Sequence, residues 1–187
     1  MPELGSRTVG VMGSGRDEHL ALAEPLGGLL ARMEVNLLTG AGEGVMTSVS
    51  RAYVSARNGA GVSIGIVPAA SETERSTPRA GYPNQFVELP IYTHLPVSGD
   101  DGQSDLSRNH INVLSSDAIV ALPGRSGTAS EVALAIRYGR PIIAFAASAT
   151  QRQDFEGRIP VAPDLATVET FLKANLKLAL ESVPAEG

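Results

Sequence analysis

The sequence has no cysteine, no tryptophan, only two lysines and 4% aromatic residues, and each shortage closes off a class of function. Without cysteine there are no disulfides, no thiolate metal ligands and no cysteine nucleophile; the chain suits a reducing compartment, and a cytoplasmic location is expected. Both lysines, Lys173 and Lys177, fall in one C-terminal amphipathic stretch. That leaves no lysine near a glycine-rich segment to form a pyridoxal Schiff base. The histidines, His19, His94 and His110, include no pair one helical turn apart, so no metal site is expected. No run of about 18 apolar residues occurs, and Met1 to Arg7 has no apolar run behind its single basic residue. The net charge of −5, the scarcity of rings and the lack of a basic run argue against nucleic-acid and membrane partners.

What is present is a chain of 187 residues, 43% hydrophobic, long enough to bury a core without staples. A single domain spanning 1–187 is expected. Its apolar pattern switches period repeatedly. Thr8–Met12 reads as a strand, followed by Gly13-Ser14-Gly15 and a helix whose start is marked by Ser14 and Asp17. Pro25 and Gly27-Gly28 weaken that helix in its second half. Val35–Leu38 is a second strand, with a second glycine loop over 39–44 and a helix from Val45 to Ala56. Val62–Val67 is a third strand. Pro68 to Asn84 reads as a long loop of the kind that carries function or mobility, in which Arg75 and Arg79 are most simply solvated although they could fold over a ligand, and Phe86–Leu89 reads as a short strand ended by Pro90.

Further on, 97–103 is a polar turn, where Asp100 and Asp101, with Asp105 just beyond, are most simply solvated, though they could meet a cation accompanying phosphate. Leu106 to Leu114 reads as a helix with Leu106, Asn109/His110, Val113 and Leu114 inward, and His110 as a buried or interface residue rather than a base. Ala118–Leu122 is an unbroken apolar strand, followed by Pro123-Gly-Arg-Ser-Gly127 and a helix from Thr128 to Tyr138 with Val132, Ala135 and Ile136 on one face. Pro141–Phe145 is another strand, and Asp164–Ser182 a closing amphipathic helix. Strands that are apolar throughout require a sheet covered on both faces. The alternation therefore predicts an α/β, Rossmann-like doubly wound domain with a mainly parallel sheet and helices on both faces.

Ligands in such sheets sit outside the carboxyl ends of the strands. All three glycine loops fall there, each after a strand and before a helix, so their N–H groups and helix N-termini are placed to meet an anion. The simpler alternative is that glycine only serves the tight turns. Gly10-x-x-Gly13-x-Gly15 and Gly40-x-Gly42-x-Gly44 lack the dinucleotide spacing, and no Gly-Lys-Ser/Thr loop exists.

The segment Ser107 to Glu131, ending Pro-Gly-Arg-Ser-Gly-Thr-Ala-Ser-Glu, resembles the signature Pro-Gly-Gly-x-Gly-Thr-x-x-Glu of the LOG ("Lonely guy") proteins, long mislabelled possible lysine decarboxylases. Gly40-Ala-Gly-Glu-Gly-Val-Met46 is similar to their other glycine motif, one residue shorter. The resemblance covers roughly residues 8 to 145. It implies either a phosphoribohydrolase, which frees a base from a nucleoside 5′-monophosphate such as a cytokinin riboside monophosphate or AMP, or a molybdenum cofactor carrier. The wording from Gly127 to Ala135 and from Tyr138 to Pro141 is closer to the carrier branch, since the plant hydrolases carry a second acidic residue beside the signature Glu.

On that resemblance, Arg108 and Glu131 are the functional pair if the protein is an enzyme. Gly13, Ser14, Gly40, Gly42, Glu43, Gly44, Arg108, Asn109, Pro123, Gly124, Arg125, Ser126, Gly127, Thr128 and Glu131 are the candidate ligand-binding residues. One reading competes with this: Thr128-x-x-Glu131 is also a capping box, which would make Glu131 a helix cap. Arg125 departs from the family, replacing its second glycine, adding a charge and removing backbone freedom, which could either block a substrate or supply an extra phosphate clamp. The expected ligand is a small phosphorylated molecule, either molybdopterin-type cofactor or nucleoside monophosphate, with no cofactor required. The family is typically dimeric or larger, which implies a homo-oligomer, dimer or tetramer.

Overall fold

The computed structural model describes residues 5–97 and 99–177. Its strands are β1 (Thr8–Met12), β2 (Asn36–Thr39), β3 (Ser63–Val67), β4 (Leu89–Tyr92), β5 (Ala118–Ala121), β6 (Ile142–Phe145) and β7 (Val161–Ala162). They form one sheet in the order β4-β3-β2-β1-β5-β6-β7, and every pairing is parallel. The helices are α1 (Leu20–Arg32), α2 (Val45–Ala56), α3 (Asn109–Leu114), α4 (Ser126–Arg137), α5 (Ala149–Gln153) and α6 (Leu165–Leu176).

Because side chains alternate across a strand, each strand serves two cores. Val9, Val11, Leu37 and Val120 pack with α1, α2 and α6. Met12, Ile119, Ala121 and Ile142 pack with Val113 of α3 and Val132 and Ala135 of α4. This is the Rossmann-like, doubly wound arrangement that the uninterrupted apolar strands predict.

Helix α1 runs through both Pro25 and Gly27-Gly28 to Arg32. Gly27 explains why a poor helix former is kept there: a Cβ would lie 2.6 Å from the Val49 carbonyl and 2.8 Å from Ala52 Cβ of α2. The missing side chain lets the two helices touch along their backbones, and the tertiary contact outweighs local propensity.

Several boundaries differ from expectation. The short strand is Leu89–Tyr92, not Phe86–Leu89, and Pro90 lies inside it. Since β4 pairs on one side only, the missing N–H costs no ladder bond where it faces away. Helix α3 begins at Asn109 rather than Leu106, and Leu114, expected inward, is 46% exposed, as is Ile136 of α4 at 50%. Helix α5 and the two-residue β7 carry no clear apolar periodicity and are additions to the expected elements. Of the closing helix, the part beyond Lys177 lies outside the described residues. Among the described residues no helix is long and apolar enough to cross a membrane.

Candidate functional site

Strand order reverses where β1 lies between β2 and β5, and the loops following these three strands are the three glycine loops. Ser14 joins them. Its N–H donates to the Pro123 carbonyl at 3.2 Å, and its own carbonyl accepts from Val45 N–H, at the start of α2, at 2.9 Å. The glycines allow this close approach: a Cβ on Gly13 would sit 2.9 Å from the Val45 side chain, and one on Gly44, at φ 63°, 2.5 Å from the Ser14 carbonyl. Turn-making and loop-to-loop packing are therefore part of what these glycines do.

The Ser14–Asp17 pair does not start α1. Ser14 Oγ accepts from Asp17 N–H at 2.9 Å and donates to Asp17 Oδ2 at 3.0 Å, closing a turn within the loop, and the helix begins only at Leu20, after His19.

Two helices open onto this junction without side-chain caps. Gly44 precedes α2 and Arg125 precedes α4, and neither makes a capping bond from its side chain. The first-turn N–H groups of a helix have no partner within it. Arg125 occupies its position at φ −107°, an ordinary value for any residue, so replacing the family's glycine creates no backbone strain. Its side chain is exposed, as are those of Glu43 and Ser126.

The capping-box reading of Glu131 is overturned. Helix α4 starts at Ser126, which puts Thr128 in its first turn and Glu131 a turn and a half inside. Glu131 is 8% exposed, and its Oε1 accepts from Asn112 Nδ2 of α3 at 2.8 Å. Burial raises its pKa, partly offset by the Asn112 bond and the charge of Arg108. Thr128 Oγ1, Asn109 Nδ2 and Asn112 Oδ1 are buried without hydrogen-bond partners.

Arg108 lies directly before α3 and is 5% exposed. Its Nη1 donates to the Gly40 carbonyl at 2.7 Å and the Ile66 carbonyl at 2.9 Å, bolting the second glycine loop to the end of β3. A Cβ on Gly40 would stand 2.3 Å from that nitrogen. Its Nε is buried and unpartnered, and among the described residues no carboxylate forms an ion pair with it. Burial holds its pKa below the usual arginine value, against the favourable influence of Tyr82 and Glu131.

The segment 68–84 is the expected loop, exposed from Glu72 to Pro78, but hydrogen bonds tie down its base. Ala70 N–H donates to Thr77 O at 2.8 Å and Arg79 N–H to Pro68 O at 3.0 Å, and the Arg79 side chain reaches the Pro96 carbonyl. At its end, Tyr82 covers Arg108, with the guanidinium carbon 5.5 Å from the ring centroid, and Asn84 Nδ2 donates to the Gly42 carbonyl at 2.9 Å. Arg75 stays exposed. His110 is held between Tyr138 Oη, 2.8 Å from Nδ1, and the Ser104 carbonyl, 2.9 Å from Nε2. A carbonyl only accepts, so Nε2 is the donor in that bond.

Arg108, Glu131, Asn109, Thr128, Ser14 and the loop glycines are thus brought to one end of the sheet, while Tyr82, Asn84 and Asn112 join them without a local sequence signal. Two surface grooves, about 460 Å³ beside Ile143, Asp164 and Phe171 and about 290 Å³ beside Arg75, Tyr92 and His94, involve no glycine-loop residue.

Comparison with known families places this arrangement. The profile of the SLOG cluster4 family, part of the LOG-like superfamily, matches residues 6–169. The chain belongs to that family. Among solved structures, the molybdenum cofactor binding protein from the phototrophic bacterium Rippkaea orientalis is 29% identical, with a TM-score of 0.71 over 94% of this chain and 99% of that one. A Moco carrier protein structure from Chlamydomonas reinhardtii is 30% identical, with a TM-score of 0.68 over 92% of this chain and 99% of that one. DNA processing protein A from Helicobacter pylori, at 16% identity and a TM-score of 0.65 over 91% of this chain and 82% of that one, shares the fold alone. No curated protein matches the chain in sequence. The resemblance drawn from the two glycine motifs therefore holds at the level of the superfamily, and this SLOG chain is similar to cofactor carriers along nearly its whole length.

Proposed function

We propose that this SLOG protein binds a phosphorylated, nucleotide-like ligand at the junction of its three glycine loops, and that its ligand is a molybdenum cofactor of the molybdopterin type. The observation that carries the reading is Arg108, a buried guanidinium with one unpartnered nitrogen and, among the described residues, no paired carboxylate. A buried cation is costly unless compensated. A phosphate supplies the missing charge, and the uncapped starts of α2 and α4 supply N–H donors of the matching sign. Thr128 and Asn109 offer further unpartnered polar atoms, and exposed Arg125 adds a rim cation. Similarity to the two cofactor-binding proteins supports the choice of ligand.

A second reading is favoured by Glu131. A desolvated carboxyl near Arg108 is suited to hold a ribose or stabilise positive charge as a glycosidic bond breaks, which is the work of a nucleoside 5′-monophosphate phosphoribohydrolase. The carrier reading is preferred because two solved structures similar to nearly the whole chain are of molybdenum cofactor binding or carrier proteins.

The deciding experiment measures binding of molybdopterin-type cofactor and AMP by calorimetry, alongside release of adenine and ribose 5-phosphate from AMP. Saturable binding without release is expected, with Glu131→Gln leaving affinity within severalfold. Release that E131Q abolishes makes the protein a hydrolase. We also propose a homo-oligomer that covers exposed Leu114 and Ile136, and a clean monomer by light scattering ends that proposal.

A further inference from the structure

The geometry points to Tyr82 as the residue that selects the ring of the ligand: its partly exposed aromatic surface, resting on Arg108 and on the second glycine loop, stacks on a planar heterocycle whose phosphate lies at the glycine loops. This inference rests on the phosphate-site reading and adds the chemical class of the ligand's other end.

Three observations carry it. First, the position of the tyrosine is fixed. A Cβ on Gly42 would meet Tyr82 Oη at 2.8 Å and its Cε1 at 2.9 Å, so the bare glycine makes room for the ring. Second, its neighbours lock the approach. Asn84 N–H donates to the Ala41 carbonyl at 2.8 Å, Asn84 Nδ2 donates to Gly42 O at 2.9 Å, and Asn84 Oδ1 accepts from Phe86 N–H at 3.1 Å. Third, the ring is only half-buried although it lies 5.5 Å from a buried guanidinium. A cation beneath an aromatic ring draws on the ring's electron density, and a flat heterocycle adds to the same stack. Every purine or pterin presents such a face.

The test compares two probes that share a phosphate and differ in the ring: AMP and ribose 5-phosphate, titrated into the full chain and into Tyr82→Leu and Tyr82→Phe. Stacking on an aromatic side chain is worth roughly a fivefold to 150-fold change in affinity. The expected result is that Y82L weakens AMP about fivefold or more while ribose 5-phosphate changes less than about twofold, and Y82F keeps both. If Y82L weakens both probes equally, or changes neither, Tyr82 does not read the ring, and the phosphate site stands without it. If the unsubstituted protein binds neither probe, the phosphate-site reading itself fails and takes this inference with it. Thermal unfolding of Y82L shows whether the variant is folded. If it is not, the milder Tyr82→His variant, which keeps a ring, must bind AMP within severalfold of the parent for the inference to survive.

Discussion

Asn112 donates from Nδ2 to Glu131 Oε1 at 2.8 Å across the α3–α4 interface, and this bond reaches a carboxyl that burial desolvates. Burial raises the Glu131 pKa from an ordinary 4.5, so the native state takes up a proton more readily than the unfolded chain. The stability this provides is full below the ordinary carboxylate value and is lost as pH rises through the raised one. Glu131→Gln cannot ionise and escapes the loss. Its melting temperature relative to the parent is expected to rise as pH is raised upward from the ordinary carboxylate value of 4.5, by a few degrees for each 1 kcal/mol or so involved. A constant difference across that range would show that the carboxyl is not desolvated.

Adjacent glycines in α1 are expected to respond with opposite signs. Gly27→Ala drives a methyl to within 2.6 Å of the Val49 carbonyl, and overpacking of this kind costs about 1–3 kcal/mol. At Gly28 a Cβ meets only the flexible end of Arg32, at 3.4 Å, so Gly28→Ala keeps the usual helical gain of about 0.5–1 kcal/mol. Urea unfolding of the two variants checks this. Equal effects would mean that α1 and α2 do not approach along this glycine.

The long apolar strands were legible in the sequence because each is buried on two faces and needs no partner to announce itself. Apolar runs at Thr8–Met12 and Ala118–Leu122, with glycine after each, were enough to place the switch-point loops. Strand β4 was misplaced because Pro90 reads as a stop, and only its position at the sheet edge makes the proline acceptable. The Thr128–Glu131 spacing has two meanings, cap or interior pair, and which one applies depends on where α4 begins. Asn112 lies 19 residues from Glu131 and Tyr82 about 40 from the glycine loop it covers. Nothing local in the chain encodes such contacts, which arise only when the crossovers bring α3 and the 68–84 segment to one sheet end.

Asn36 offers a test of the opposite end of the sheet. Its Oδ1 accepts from Gly5 N–H at 2.8 Å and Val62 N–H at 3.2 Å, while Nδ2 donates to the Gly5 carbonyl at 2.9 Å and Thr8 Oγ1 at 3.3 Å. All four bonding positions of a buried amide are filled. Asn36→Ala strands several of these partners, at about 1–3 kcal/mol for a buried unsatisfied group, and a fall in melting temperature of several degrees is expected. AMP binding at the far end should be unchanged, so a loss of stability and affinity together would couple the two ends.

The Arg57–Glu88 pair fixes where the chain returns to the sheet edge, and its pH dependence runs opposite to that of Glu131. Arg57 Nη2 donates to Glu88 Oε1 at 2.6 Å, and Glu88 Oε2 accepts from Arg57 Nη1 and from Ser63 N–H, the latter at 3.0 Å. The arginine bond lowers the Glu88 pKa, with burial opposing it and the Ser63 bond adding to it. The native state therefore holds the proton less tightly than the unfolded chain, so the stabilisation is present above the ordinary value of 4.5 and is lost as pH falls through the lowered one. Both side chains are mostly shielded, at 12% and 26% exposure, and a bidentate, charge-assisted pair so placed is worth about 1–2 kcal/mol. Glu88→Gln should lose that amount in urea unfolding at neutral pH, and the difference from the parent should close as pH falls below about 4. A difference that persists unchanged in acid would mean that the pair contributes through its shape and hydrogen bonds, not through its charge.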